Sequence, residues 1–339
     1  MRARAWMKGK GTCVLTVSLL LSLLSWSAQR ASANNTTFSG EATVVQATVL
    51  GLPPIVLSDT GALDSTGGAR EASLLDANVP GLLTAEVLHA STVGQGQRSS
   101  SEASVANVTL TVGGNTISAG LLRARATAEC HNGTASVSGS SEIVDLVVNG
   151  QAIVVSGQPN QTISLPVGRV IINEQQSSVS GNTGDITVNA LHIVVDGIAD
   201  VVISSAHADI TCGGPVCPGG DFVTGGGWIT GTPSGERGTF GVAGGIKNGG
   251  LWGHLTYIDH GTNMKVKGTG VTAYTVTGPT TRHIEGTADI NGRSGSYQVD
   301  VSDNGEPGRN DMFSIMLSNG YSASGLLIGG NIQLHQPCK

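Results

Sequence analysis

The stretch Asp303-Asn304-Gly305-Glu306-Pro307-Gly308-Arg309-Asn310-Asp311 holds the best candidates for chemistry in this sequence. Asp303, Asn304, Glu306 and Asp311 set carboxylate and amide oxygens in one turn, and Ca2+ is held by several such oxygens. The spacing is not that of an EF-hand, because no acidic residue stands at its closing position. Asp, Asn, Gly and Pro also build tight turns for purely conformational reasons. A calcium loop and a plain rigid turn are both open expectations, and no other cofactor is called for.

Other constellations are weaker. His254 and His260 share a strand parity, but six residues at about 3.3 Å each put them about 20 Å apart. His192 and His207 fall on neighbouring strand candidates and are expected to be able to meet. No Gly-x-Ser-x-Gly nucleophile elbow is present. Glu285, Asp289 and Asp300 are of the type that pairs in glycosidases, yet any β protein of this size supplies such carboxylates. No catalytic residue is assigned, and the chain is not expected to be an enzyme. Trp228, Trp252, Tyr257 and Tyr274 are candidates for a sugar-stacking platform, with core packing as the competing use.

The compartment follows from the first residues. Arg2, Arg4, Lys8 and Lys10 precede an apolar run, Cys13 to Leu24, and the small residues Ala31-Ser32-Ala33 form a cleavage site. That is a secretory signal over 1–33, with Ala28 as an alternative cleavage point. The run is shorter than the roughly 20 residues that span a bilayer, and no later stretch qualifies. A secreted chain without a membrane span is expected. Of 18 basic and 24 acidic residues, the leader takes five basic ones, leaving about −11. Such a charge disfavours nucleic acid and anionic membranes as partners. A cell-surface or extracellular glycan or protein remains, and the oligomeric state is not legible.

Four cysteines follow the leader: Cys130, Cys212, Cys217 and Cys338. An even count in an exported chain reads as two disulfides. Cys130 and Cys212 each close a strand candidate on its less polar parity, which favours their pairing and leaves Cys217 with Cys338. Pairing Cys212 with Cys217 and Cys130 with Cys338 is the alternative. A zinc site is disfavoured, because the cysteines are scattered and no histidine pair is adjacent.

Composition changes at residues 213–220. Between Asn34 and Cys212 the sole aromatic is Phe38, whereas nine aromatics follow from Phe222 onward. A boundary there divides a first module, 34–212, from a second, 221–339, joined by a short tether. In the first, Leu122 to Cys130 alternates with period two, so Arg123, Arg125, Thr127 and Glu129 are expected to face water. Asn149-Gly150 between two β-branched runs predicts a type I′ hairpin, and Gly113-Gly114-Asn115 predicts another. Arg70 to Ala77 is the one helix candidate. Eight strand candidates run through the second module from Phe222 to Leu334, and the glycines read as turns and bulges. The fold class is all-β: an antiparallel sandwich or jelly roll, then a small sandwich or barrel.

Asn173-Glu174-Gln175, Val188-Asn189-Ala190-Leu191-His192, Ala199-Asp200-Val201-Val202 and Ala208-Asp209-Ile210-Thr211-Cys212 resemble the choice-of-anchor P family of exported bacterial proteins. The likeness covers most of 38–212. Gly225-Gly226-Gly227-Trp228-Ile229, the Asp303–Asp311 turn and Gly329-Gly330-Asn331-Ile332 resemble the Gly-rich domain that often follows choice-of-anchor modules. The resemblance implies a secreted or cell-surface structural or adhesive protein and brings no known activity. A pair of carbohydrate-binding modules is the alternative, and a hydrolase the outside one. The chain departs from the family in showing no recognisable anchor after Cys338-Lys339.

Overall fold

Alternation of small apolar and polar residues makes strands throughout, and their pairing is antiparallel in every sheet. The computed structural model describes residues 35–214, 220–247 and 249–336. The expected signal segment 1–33 and the expected pairing of Cys217 with Cys338 fall outside the described residues. No helix among those residues is long and apolar enough to cross a membrane.

Two sheets build the first module. One runs Gln161–Leu165, Gly168–Ser180, Thr183–Val195, Ala199–Thr211, Glu41–Val49, Ile55–Asp59, with Thr37–Phe38 beside Ala199–Thr211. The other runs Gln151–Ala152, Val147–Val148, Asn115–His131, Arg98–Val112, Leu83–Gln95, Gly68–Val79. Thr134–Val144 adds to it as a margin beside Asn115–His131. Val44, Leu88, Ala103, Leu122, Ala124, Val188, Leu191 and Ala208 from the two inner faces fill one core. Side chains this small let the faces approach closely, which suits a sandwich nearly without aromatics.

Cys130, ending one sheet's longest strand, is bonded to Cys212, just past Ala199–Thr211 in the other. The bridge spans a separation of 82 residues. In the chain-entropy picture a loop of that length stabilises by about 4–5 kcal/mol. The expected pairing of Cys130 with Cys212 is thus present, and the alternative pairing through Cys212–Cys217 is excluded by it.

Period two fails at one transverse line in each sheet. Asn173 and Ser204 have φ of 51° and 57°, and Ala190, on the strand between them, is buried together with Leu191. Each is a bulge where the strand shifts which parity points inward. Upstream of Ser204 it is Val201 and Ile203 that are buried, and downstream Ala206, Ala208 and Ile210. The less polar parity that Cys212 was expected to close therefore points inward only beyond Ser204. A buried Ser204 hydroxyl donates across the core to the Leu122 carbonyl at 3.1 Å.

Arg70 to Ala77 is not helical. It lies within the strand Gly68–Val79, whose twelve residues pair with Leu83–Gln95 through a turn at Pro80-Gly81. A free sheet margin takes precedence over local propensity here. Both predicted hairpins form. Asn149 and Gly150 carry the two positive φ values of the tight turn, and Val112 pairs with Asn115 around Gly113-Gly114.

The second module is one sheet of nine strands: Ser322–Leu326, Met312–Leu317, Arg293–Ser302, Thr281–Ile290, Met264–Val276, Gly250–Asp259, Gly238–Lys247, Phe222–Ile229, Gly329–His335. Its first and last members in that order are separated in sequence by only Leu327 and Ile328. Two residues cannot cross a flat nine-stranded sheet, so the sheet must roll until its margins meet. Ser324 N–H accordingly donates to the Gly231 carbonyl at 2.9 Å. That crossing splits the last stretch before Leu334, where eight strand candidates were expected, into two strands, so the sheet has nine. Phe240, Tyr257, Val266, Ile284, Tyr297, Val299 and Phe313 fill the roll, and Phe240 stacks on Phe313 at 3.9 Å.

Candidate functional site

The outer face of the second sheet of the sandwich carries an unusual set of side chains. Successive strands present Glu129, Thr127, Arg125, Arg123; then Arg98, Ser100, Glu102, Ser104; then Val93, Ser91, His89; then Ala69, Glu71, Ser73, all in register. Arg123, Arg125, Thr127 and Glu129 were expected to face water, but Arg123 and Thr127 are only 6% exposed. The rolled sheet covers them. Its outer face sets His335, Gln333, Asn331 beside Phe222, Thr224, Gly226, Trp228, then Ala243, Gly241, Thr239, then Trp252, His254, Thr256. The two modules are therefore packed face to face, beyond any tether at 213–220. Local pattern could not show this, because alternation reports which side is polar and not what lies over it.

Small residues let the faces touch. A Cβ on Gly226 would come 2.7 Å from Ser104 Oγ, and one on Gly241 2.9 Å from His89 Cβ. Among the described residues, Ala69, Val93, Phe222 and half-buried Trp252 form an apolar patch between the modules. The remainder is polar. Arg123 Nη1 reaches Glu102 Oε2 at 3.2 Å and its Nη2 reaches Glu142 Oε2 at 3.1 Å, while Gly330 N–H donates to the same Glu142 oxygen at 3.0 Å. Arg125 is ion-paired with Glu306. The Gln333 side-chain oxygen accepts from Arg98 Nη2 at 3.1 Å and from Arg125 Nη2 at 2.9 Å. Lys247 donates to the Ala69 carbonyl, and Arg237 Nη1 to the Gly120 carbonyl at 3.1 Å.

Burial governs the titration of these groups. It pushes His89 down to about 3, helped by the charge of His254. His89 is 1% exposed, accepts or donates only through Nδ1 to Ser73 Oγ at 3.0 Å, and has no partner for Nε2. His335, stacked on Phe222 and bonded to Thr224 Oγ1 at 3.0 Å, is likewise pushed to about 3 by burial, then by Arg98 and Arg125. Burial raises the Glu102 carboxyl against the pull of Arg123, and raises Glu71.

A second tie lies at the far end of the same face. Thr239 Oγ1 is 2.9 Å from His260 Nε2, and His260 Nδ1 is 3.3 Å from Glu86 Oε2. Hydroxyl, imidazole and carboxylate follow the order of an activated nucleophile, but Thr239 is 1% exposed. Thr239 is enclosed while His260 and Glu86 are part-exposed, so these groups link the modules at the interface edge.

The residues singled out from sequence are distributed as follows. The Asp303–Asp311 turn sits at the rim of the roll with its oxygens directed at N–H groups. Asp303 Oδ2 accepts from Leu334 N–H, and Asp311 accepts from Asn304 and Ile332 N–H, each at 2.8 Å. Asn304 Oδ1 accepts from the Ser302 hydroxyl at 3.1 Å, and Glu306 holds Arg125. Burial raises Asp311 to about 6. The four aromatics do not share a platform. Trp228 lies under the Arg237 guanidinium at 4.2 Å, Trp252 meets Phe222 edge-on, Tyr257 is inside the roll bonded to Tyr321, and Tyr274 donates to Asp221. His192 and His207 do not meet: they pair opposite Val202 and Thr187, five positions apart, and each finds its own carboxylates, Glu174 with Asp200 and Asp185. His283 joins Asp300 and Glu285, while Asp289 caps the turn at Gly292. Arg98, Glu102, Glu142 and Gln333 were not foreseen. An Arg/Glu alternation on one strand parity was their only local signal.

One cleft borders this interface. The roll touches the margin strand Thr134–Val144 at Glu142 but leaves Ser138 and Ser140 uncovered, beside a cleft of about 260 Å³ lined by Arg98, Arg125, Thr127, Glu129, Ser138, Ser140 and Glu306. Compared with known proteins, the sequence matches no family model and no characterised sequence. Among solved structures, a Nitrosomonas europaea protein described as a candidate AttH aligns at 6% identity over 89% of this chain and 93% of that one, with a TM-score of 0.20.

Proposed function

We propose that this chain is a secreted, cell-surface-associated structural or adhesive protein of the choice-of-anchor P type with its Gly-rich companion module. The observation that carries the reading is the interface: two filled β modules are fastened face to face by the Arg125–Glu306 ion pair and by hydrogen bonds of Gln333 to Arg98 and Arg125 and of Gly330 to Glu142, above a disulfide that ties the two sheets of the sandwich. Interfaces between modules are commonly small and permit motion, whereas this one holds its parts in fixed relation, as a mechanical or adhesive role requires. The disulfide suits an oxidising compartment. Choice-of-anchor likeness over most of 38–212 adds the expectation of an exterior location.

Location and redox state test the reading together. Antibody against the purified chain is expected to label intact producing cells or their medium, with Cys130 and Cys212 resistant to alkylation until reduced. Protein confined to the cytoplasmic fraction with both thiols free would overturn it.

A further inference from the structure

We propose that the cleft at the margin of the module interface is a binding site for a neutral saccharide, one or two sugar rings long. The proposal deepens the adhesive reading and rests on it only for the ligand's presence outside the cell. Three features of the cleft point this way.

The floor is made of small hydroxyls. Thr127, Ser138 and Ser140 lie on neighbouring strands, with Ser138 directly opposite Thr127 and Ser140 opposite Arg125. Ser136, Ser138 and Ser140 hold one parity of Thr134–Val144 and are exposed, so no long side chain fills the space above that strand. The walls are prearranged. Arg98 and Arg125 are held by the Gln333 oxygen, Arg125 also by Glu306, and Arg98 Nε stands 3.4 Å from Glu129 Oε1. A guanidinium fixed by such partners loses little freedom when a ligand arrives. The polar groups alternate in kind: donors from Arg98 and Arg125, acceptors from Glu129 and Glu306, and hydroxyls that do both.

A ligand that both donates and accepts at neighbouring atoms matches that alternation, and a sugar hydroxyl does this. Two cations face two carboxylates, so the walls sum to no net charge and give an anionic sugar no advantage over a neutral one. Junctions between modules are also where small-ligand sites tend to form. The cleft is built by both modules, since Glu306 comes from the roll and the other lining residues from the sandwich.

Saturation-transfer NMR on the full chain, with glucose, galactose, mannose, N-acetylglucosamine and glucuronate each at millimolar concentration, tests the assignment. At least one neutral sugar is expected to receive saturation. Ser138→Trp, which fills the floor from an exposed position, should abolish that transfer, and Arg98→Ala should weaken binding at least fivefold. Both variants are to be checked for unchanged thermal unfolding. Transfer to no sugar, transfer that Ser138→Trp leaves intact, or transfer to glucuronate alone would each overturn the proposal. An empty cleft on a surface-labelled protein would leave the adhesive reading standing. Sugar binding by a cytoplasmic protein would do the reverse.

Discussion

Gly226 and Gly241 matter through what they lack. Neither has a positive φ, so neither is demanded by its backbone. Each is demanded by its neighbour: the imidazole of His89 and the hydroxyl of Ser104 occupy the space a side chain would take. In sequence these glycines look like turn or bulge residues, and several others in the chain are just that. A glycine inside a strand can also mark close approach of another backbone or side chain. Which of the two applies depends on a contact more than 100 residues away, so it was not legible. Gly241→Ala is expected to destabilise by about 1–3 kcal/mol, the usual cost of overpacking. Its Cβ would press on His89 Cβ and Thr256 Oγ1, both at 2.9 Å. Gly250→Ala is the control, with its nearest neighbour at 3.8 Å and no positive φ. Urea midpoints for the two variants should separate clearly, and equal midpoints would remove the close-approach account.

Among the elements, Asn115–His131 shows where sequence reading succeeds and where it stops. Its hairpin with Arg98–Val112 is local, set by Gly113-Gly114, and was readable. Its inner face of Leu122, Ala124, Ala126 and Ala128 was readable too, because alternation alone identifies it. Its outer face was misread, since Arg123, Arg125 and Thr127 look like solvent residues until the roll is laid on them. The shifts of parity at Asn173 and Ser204 were hidden for a related reason: a bulge depends on a backbone angle that asparagine and serine can adopt but do not announce. The candidate site was legible in its rim, through Glu306, and not in its floor. Buried between Glu102 and Glu142, Arg123 gives this strand its sharpest prediction. Replacing it with Met removes the cation and leaves both carboxylates facing a dry interface, which should cost about 3–5 kcal/mol. Combining Arg123→Met with Glu102→Gln should recover part of that loss. Chemical denaturation of Arg123→Met, Glu102→Gln and the double variant measures the coupling, and an Arg123→Met chain of unchanged stability would show that water reaches the pair.

For the molecule as a whole, the interface makes stability depend on pH through histidines that only the packed modules bury. His89 faces Ser73 and Glu71 on one neighbouring strand, Ser104 and Glu102 on the other, and His254 from the roll. His335 faces Arg98, Arg125 and Asp221. Both titrate near 3 when folded and near 6.5 when exposed. Above 6.5 they are neutral in either state and contribute nothing. As pH falls below 6.5 the unfolded chain takes up their protons and the folded one does not, so stability declines. Each buried histidine removes up to about 1.4 kcal/mol per pH unit, down to about pH 3. Glu71 and Glu102 act oppositely, because burial raises their folded titration above that of the open chain. They cost stability at neutral pH and return it as they protonate in the folded state. The histidine share is isolated by substitution. Urea unfolding at pH 7.5, 6 and 5 should show His89→Gln and His335→Gln each with a shallower loss than the parent chain, by about one proton's worth per pH unit. Parallel slopes for parent and both variants would mean that the two imidazoles are already open to protons, and that the modules do not stay closed in solution.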